Sequence, residues 1–469
     1  MNEYDYLAKA KHKMKKEDYH EVISLCDKAL KLNEDLPEAY DFRGNAKYEL
    51  GEYDDALEDF DELIKRDPND AEHYYDRSWA YCKIDKYEDA IVDMAKALEI
   101  KPKTSLYYYE KARFEYLAER YKESVIDLTK GIEIRPTENK YIERGKSYME
   151  LEEFELALSD FNSAIEIESE SSRAYYHRGI LYKRLERLKD AEYDFKKAIQ
   201  LSSGYDDAMT ELGFIIIELN KNDGMKYFNK AIKVNPCADN FYYRVLARAR
   251  ILKRQDDIEN LALGKPIKNE KAEFIIFNDK QAQDDIKDLN EAITLDPEDL
   301  TYLRLRVTRY NHLKQYENAL KDCETLVKLE PENKEWILSK AYCKFNTDDY
   351  LGAIEGIDNY LNINDGVGDD FLYYTRGMAN YELGERQTAV NDFTKGLAIK
   401  ETAELYYYKG LTNYKLKKFV LSYKDFKKSL ELNPNIESET NYRIPKLIKM
   451  FIKKKDNKNV PIGLAKIKD

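Results

Sequence analysis

The sequence predicts an all-α protein, a right-handed superhelical solenoid of about twelve helical hairpins that ends in a C-terminal capping helix. Three observations predict this architecture. Prolines recur at a spacing of 34 residues, as at Pro68, Pro102 and Pro136. The segment before each proline carries small and apolar residues at the spacing of one helix face. A period of this length is typical of stacked pairs of helices, since one pair alone cannot bury its apolar face.

Each predicted hairpin follows one residue pattern. In its first helix an aromatic residue precedes a glycine or another small residue by four positions, as Tyr175 precedes Gly179. The small residue lets a second helix approach closely. That second helix presents Ala191, Phe195 and Ala198 on one face. Where a proline follows, it ends the helix, because proline has no backbone N–H to donate.

The joint recurrence of the small, aromatic and proline positions resembles the tetratricopeptide repeat family over nearly the whole chain. The resemblance implies a non-catalytic scaffold that binds a peptide or helical segment of another protein in its concave groove. Some members of the family hold a C-terminal carboxylate with a clamp of lysine, asparagine and arginine side chains. That clamp is absent here, because Asp41, Asp76 and Glu110 occupy three of its positions. We therefore do not expect the chain to bind chaperone tails.

The repeats divide the chain into five predicted segments. These are a degenerate N-terminal capping repeat at 1–36, repeats two to seven with the first helix of repeat eight at 37–253, an insertion at 254–281, the second helix of repeat eight with repeats nine to twelve at 282–436, and a capping helix with a basic tail at 437–469. The insertion contains the apolar stretch Glu273-Phe-Ile-Ile-Phe277. We expect this stretch either to fold back onto the repeats, to dock a partner or to act as a spacer.

Composition argues against several classes of function. The formal net charge of −13 disfavours a general nucleic-acid binder. No apolar run is long enough to span a membrane and the N-terminus has no signal-peptide core, so we expect a cytoplasmic monomer without a membrane partner. The five histidines and five cysteines show no metal-binding spacing, and we expect neither a cofactor nor an enzyme. The alternative is an enzyme, or a nucleic-acid or membrane factor, that uses the insertion or the basic tail.

Opposite charges recur at a fixed spacing. The residue before the small position is basic in eight repeats, and an aspartate follows sixteen residues later. These pairs are Arg43 with Asp59, Arg77 with Asp93, Lys111 with Asp127, Arg144 with Asp160, Arg178 with Asp194, Arg306 with Asp322, Arg376 with Asp392 and Lys409 with Asp425. Both positions adjoin core positions, so we favour ion pairs within each hairpin over a ligand-binding stripe.

Three repeats depart from this charge pattern. Repeat seven has Leu212 and Tyr227 in place of both charges. Repeat eight is aligned as Val245 with Asp288, and repeat ten as Lys340 with Gly356. In these two repeats one member of the pair is expected to be missing.

Aromatic residues supply the candidate partner-binding surface, in a chain with 40 tyrosines. Many first helices carry a second tyrosine directly after the core aromatic residue, at a position that faces the inner surface in the family. The candidates are Tyr75, Tyr109, Tyr176, Tyr243, Tyr374 and Tyr407, with Trp79 and Tyr342 at a neighbouring inner position. A flat ring with a polar tip suits recognition of peptides. Alternatively, these rings only fill a partly solvated helix face.

The C-terminal segment is amphipathic. Ile444, Leu447, Ile448, Phe451 and Ile452 recur at helical spacing among lysines. This stripe predicts a capping helix near 437–455 that covers the last repeat, because a solenoid must close its exposed end.

Overall fold

In the computed structural model, residues 1–219, 223–262, 278–440 and 443–453 are described, and the description of 254–262 covers the backbone alone. The chain divides into two compact units, Met1–Asn235 and Pro236–Asp469. Helices are the only regular secondary structure in the described ranges. The predicted all-α tetratricopeptide-like solenoid is confirmed.

The described part of the first unit contains fourteen helices, most of them of 12 to 14 residues. They are α1 (Glu3–Met14), α2 (Tyr19–Leu32), α3 (Pro37–Glu49), α4 (Tyr53–Arg66), α5 (Ala71–Lys83), α6 (Tyr87–Ile100), α7 (Ser105–Leu117), α8 (Tyr121–Ile134), α9 (Glu138–Glu150), α10 (Phe154–Ile167), α11 (Ser172–Arg184), α12 (Leu188–Leu201), α13 (Asp206–Glu218) and α14 (Met225–Val234). Each odd-numbered helix packs against the even-numbered helix that follows, and each pair packs against the next pair.

The second unit continues the same order of hairpins. Its helices in the described ranges are α15 (Ala238–Ala262), α16 (Asp279–Leu295), α17 (Leu300–His312), α18 (Tyr316–Leu329), α19 (Lys334–Asn346), α20 (Tyr350–Ile363), α21 (Asp370–Glu382), α22 (Arg386–Ile399), α23 (Ala403–Lys415), α24 (Phe419–Leu432), α25 (Ile436–Glu439) and α26 (Lys446–Lys453).

Glycine in the first helix makes room for the aromatic ring of the second helix. A Cβ atom added to Gly179 would lie 2.8 Å from Cε1 of Phe195, which is closer than real contacts allow. The same addition at Gly145 would lie 2.7 Å from Cε1 of Phe161. The small and aromatic positions of the sequence pattern therefore meet in space and fix the distance between the two helices of a hairpin.

The described turns of ten hairpins each contain one residue in the left-handed region. Glycine occupies it in two hairpins, at Gly51 and Gly384. Other hairpins place a larger residue there with φ between 55° and 62°, namely Glu17, Asp85, Glu119, Glu152, Glu186, Lys314, Asp348 and Lys417. In these hairpins the conformation could not be predicted from the sequence, because glycine is the residue that normally marks it.

Repeat eight differs from the prediction in its first helix. Helix α15 continues for 25 residues to Ala262, so the start of the predicted insertion at 254–281 is a helical extension. Helix α16 begins at Asp279, where the side chain of Asn278 accepts a hydrogen bond from the backbone N–H of Gln281. The apolar stretch Glu273–Phe277 lies outside the described residues.

The C-terminal segment covers the last hairpin, as predicted for a cap. Ile436, Ile444 and Ile448 are buried in one apolar cluster with Phe426 of α24. The predicted single helix near 437–455 is instead two short helices, because Pro445 lies between them and cannot continue a helix. The side chains of Leu447 and Phe451 lie outside the described part of the chain.

Candidate functional site

All eight predicted ion pairs form inside their hairpins, with nitrogen–oxygen distances of 2.5 to 3.3 Å. In repeat six, Nε and Nη2 of Arg178 donate to the two carboxylate oxygens of Asp194 at 2.7 and 2.8 Å. Burial raises the pKa of the Asp194 carboxyl, and the adjacent guanidinium opposes that rise. These charges satisfy one another within the hairpin, which supports a structural role.

The same arginines also contact the preceding hairpin. The remaining guanidinium nitrogen, Nη1, makes this contact. Nη1 of Arg178 donates to Asn162 at 2.7 Å, and Nη1 of Arg77 donates to Asp61 at 2.6 Å. Arg43 makes the corresponding contact with Asp27 at 2.6 Å. Sequence reasoning missed this second partner. Its signal is an Asp or Asn sixteen residues before the arginine.

Repeat eight keeps its pair, so the alignment of Val245 with Asp288 was wrong. Arg244 donates to Asp288 from Nε at 2.8 Å, and Arg248 donates to it at 2.8 Å. The guanidinium of Arg244 lies 5.9 Å from the ring centre of Phe241, as that of Arg178 lies over Tyr175 in repeat six. The pattern in α15 therefore begins one residue earlier than the sequence alignment placed it.

Repeats seven and ten also depart from the charge pattern, and in both the packing of the helices explains the departure. In repeat seven, Leu212 is fully buried and Tyr227 packs against the same apolar cluster. In repeat ten, a Cβ atom at Gly356 would lie 2.8 Å from that of Ala341, so the helices are too close to admit an aspartate beside Lys340.

Four of the predicted partner-binding residues lie in the first unit, and all four are half-buried. The ring of Tyr75 lies 5.7 Å from that of Tyr107 in the next first helix. Tyr176 has its ring 4.9 Å from that of Tyr205. These tyrosines thus pack against the following repeat while keeping part of the ring in solvent.

Trp79 and Tyr109 come together around one cation. The guanidinium of Arg113 lies 5.2 Å from the indole of Trp79 and 5.7 Å from the ring of Tyr109. Arg113 also donates to the buried carboxylate of Glu110 at 2.8 Å. We call Tyr75, Trp79, Tyr109 and Tyr176 the tyrosine face. It spans α5, α7 and α11, whereas α9 presents the buried Ile142 at the matching position.

The predicted residues of the second unit are less uniform. Tyr374 is half-buried with its ring 5.7 Å from that of Tyr408, and Tyr342 is half-buried near Phe371.

Tyr407 is 0% exposed beneath the C-terminal segment, so its expected place on an open surface is wrong. Because the repeat pattern of α15 begins one residue earlier than expected, Tyr242 takes the position that Tyr176 has in α11. Tyr243 therefore lies one residue after the predicted partner-binding position.

Carboxylates lie beside the tyrosine face at repeats two and three. Burial raises the pKa of Asp76 to about 7, and the nearby charges of Asp41, Glu72 and Asp70 add to the rise. The electrostatics here repel a carboxylate ligand, which agrees with the absence of the family's clamp.

The described residues include neither a candidate metal site nor a candidate membrane span. No group of three His, Cys, Asp or Glu side chains there is arranged to hold a metal ion. Among the helices in those ranges, none combines the length and apolar character needed to cross a membrane.

Comparison with known proteins gave one family match and several similar solved structures. A family model described as tetratricopeptide repeat matches residues 43–104 and 142–206. Similar solved structures include YrrB, described as a TPR protein with an unusual peptide-binding site, at 21% identity and a TM-score of 0.32, over 40% of this chain and 97% of that chain. PilW, a type IV pilus biogenesis factor, has 18% identity and a TM-score of 0.38, over 43% of this chain and 94% of that chain. The C-terminal part of a TPR repeat-containing protein from Cytophaga hutchinsonii has 14% identity and a TM-score of 0.39, over 56% and 97%. No curated protein matches the sequence.

Proposed function

We propose that the chain is a tetratricopeptide repeat protein, as the family match of residues 43–104 and 142–206 supports, and that its tyrosine face binds a peptide or helical segment of a partner protein. The observation that carries the proposal is the placement of four half-buried aromatic residues on first helices of one unit. Interface energy concentrates in a few Tyr, Trp and Arg side chains. Tyr75, Trp79, Tyr109, Tyr176 and Arg113 fit that description.

Partial burial gives these rings a fixed orientation. Tyr75 is held against Tyr107, and Tyr176 is held against Tyr205 and Phe195. A partner that stacks on them loses little side-chain entropy from this chain, because the rings are already confined. The face needs no catalytic group for this role, and the recurring charges are neutralised inside the hairpins.

The test is quantitative capture of partners from cell lysate with the whole chain and with a variant that changes Tyr75, Tyr109 and Tyr176 together to alanine. We expect capture to fall by roughly tenfold or more, since several residues of an interface centre are removed at once. Tyr193 on α12 is 64% exposed and offers a matched control, because Tyr193→Ala removes an aromatic ring from a second helix.

Circular dichroism must show that the triple variant keeps its helices, since each ring also packs inside the fold. A second variant with phenylalanine at the three positions keeps the packing and removes only the hydroxyls. Undiminished capture by the folded triple alanine variant would place recognition elsewhere on the chain.

A further inference from the structure

Lys140 in α9 is a charged residue at a core position. It lies four residues before Arg144, and its residue surface is only 6% exposed. At the same position most other hairpins have a buried apolar residue, among them Ala39, Tyr107, Ala174, Ala208, Trp336 and Leu372. His73 and Asn240 are polar exceptions. A lysine here therefore requires an explanation that packing does not give.

The ammonium group of Lys140 contacts neutral groups. Its Nζ donates to the hydroxyl oxygen of Thr137 at 3.2 Å and lies 5.9 Å from the ring centre of Tyr109. In the described ranges no carboxylate oxygen lies within salt-bridge distance of it. The neighbouring Glu138 instead accepts a hydrogen bond from Ser171.

A half-buried lysine of the preceding hairpin is paired with carboxylates. Lys111 contacts both Asp127 and Glu115 in its own hairpin. For Lys140, burial lowers the pKa and the nearby guanidinium of Arg135 lowers it further. A buried cation without a partner is costly, so the site gains free energy when an anion enters it.

An open cavity of about 670 Å³ adjoins this ammonium group. Its lining includes Lys103, Thr104, Tyr109, Arg135, Thr137 and Lys140, from the segments that end α8 and begin α7 and α9. Lys103 and Arg135 are exposed and lie at its rim. The stem of Lys140 reaches the cavity along Gly131, where an added Cβ would lie 3.4 Å from its Cδ.

We propose that this cavity is an anion-binding site that takes a phosphate group. Three cationic side chains and four side chains with hydroxyl groups line it, and none of the lining side chains is acidic. This set suits a dianion with several acceptor oxygens, to which charge-assisted hydrogen bonds are strong. The phosphate group belongs either to a phosphorylated side chain of a peptide or to a small phosphate ester. The site goes beyond the proposed peptide binding, although Tyr109 lines both surfaces.

The experiment is isothermal titration calorimetry of the full chain at constant ionic strength, with inorganic phosphate, a phosphoserine peptide and the same peptide with serine as probes. We expect phosphate and the phosphoserine peptide to bind. Lys140→Met keeps the shape of the stem and removes the charge, so it should weaken binding of either probe by about tenfold or more. Lys122→Met removes an exposed lysine of α8 outside the cavity and is the matched control.

Arg135→Gln gives a second variant whose exposed side chain is not needed for folding, and its binding should also fall. Binding of the phosphoserine peptide far above that of phosphate identifies a phosphorylated peptide as the ligand, and equal binding identifies a small ester. The proposal is overturned if phosphate does not bind the parent chain, or if Lys140→Met and Lys122→Met weaken its binding equally. Partner capture by the tyrosine face is a separate readout, so either proposal can fail alone.

Discussion

At the residue scale, the arginine of the recurring ion pair, which we call the hairpin arginine, joins two successive hairpins through its planar guanidinium group. Arg178 donates to both oxygens of Asp194 in its own hairpin and to Asn162 in the preceding one. Asp194 is 0% exposed, so loss of the guanidinium would leave an uncompensated carboxylate in the core. Repeat seven shows the alternative solution, in which Leu212 and Tyr227 fill the same positions without charge.

This arrangement predicts an asymmetry between a single and a double substitution. Arg178→Leu should lower the free energy of unfolding by roughly 3–5 kcal/mol, because it breaks a buried pair. Arg178→Leu with Asp194→Tyr reproduces the repeat-seven combination and should lose less. Urea unfolding followed by circular dichroism measures both losses. If the double variant loses as much as the single one, the buried charge is not the cause.

The sequence predicted these pairs because their spacing of sixteen residues is constant, but it could not fix every register. In α15 no glycine marks the small position, and the alignment was therefore displaced by one residue, to Val245 instead of Arg244. The phosphate-binding candidate was also invisible in the sequence. Lys140 becomes notable only once its burial and the missing carboxylate are known.

At the element scale, the turn between the two helices of a hairpin carries local strain. Glu119 has φ of 59° and is exposed, and its side chain makes no hydrogen bond or ion pair with the described residues. A side chain costs about 1 kcal/mol or more in this conformation, whereas glycine adopts it freely.

Glu119→Gly should therefore raise the free energy of unfolding by about 0.5–1 kcal/mol, because the relief of strain exceeds the extra freedom of glycine in the unfolded chain. Thermal unfolding measures the change. Gly51→Ala is the reverse control, since Gly51 has φ of 82° and open space around it, and it should destabilise. An unchanged or lower melting temperature for Glu119→Gly would show that the turn is not strained.

The helices themselves were predictable, since small and aromatic residues recur at the spacing of one helix face. The ends of the helices were harder to predict. Pro445 splits the predicted cap into α25 and α26, and the extension of α15 to Ala262 has no counterpart in the other repeats.

At the scale of the whole molecule, each compact unit contains one of the two tryptophans. Trp79 lies in α5 of the first unit and Trp336 in α19 of the second. In a solenoid each repeat is stabilised by itself and its neighbours, so the effect of a substitution should decline with distance along the array.

Single-tryptophan chains made with Trp79→Phe or Trp336→Phe can test this decline. Adding Arg178→Leu should shift the urea midpoint reported by Trp79 more than the midpoint reported by Trp336, because Arg178 lies in the first unit. Equal shifts of the two fluorescence midpoints would mean that the chain unfolds as one cooperative body.

The two partners of the hairpin arginine have a consequence for how such an array grows. In repeats two, three, six and nine both partners stand sixteen residues from the arginine, one before it and one after it. A tandem duplication of 34 residues preserves both separations wherever its ends fall in the gene. Every junction therefore regenerates a complete set of contacts, and the array can lengthen by copying without a compensating substitution.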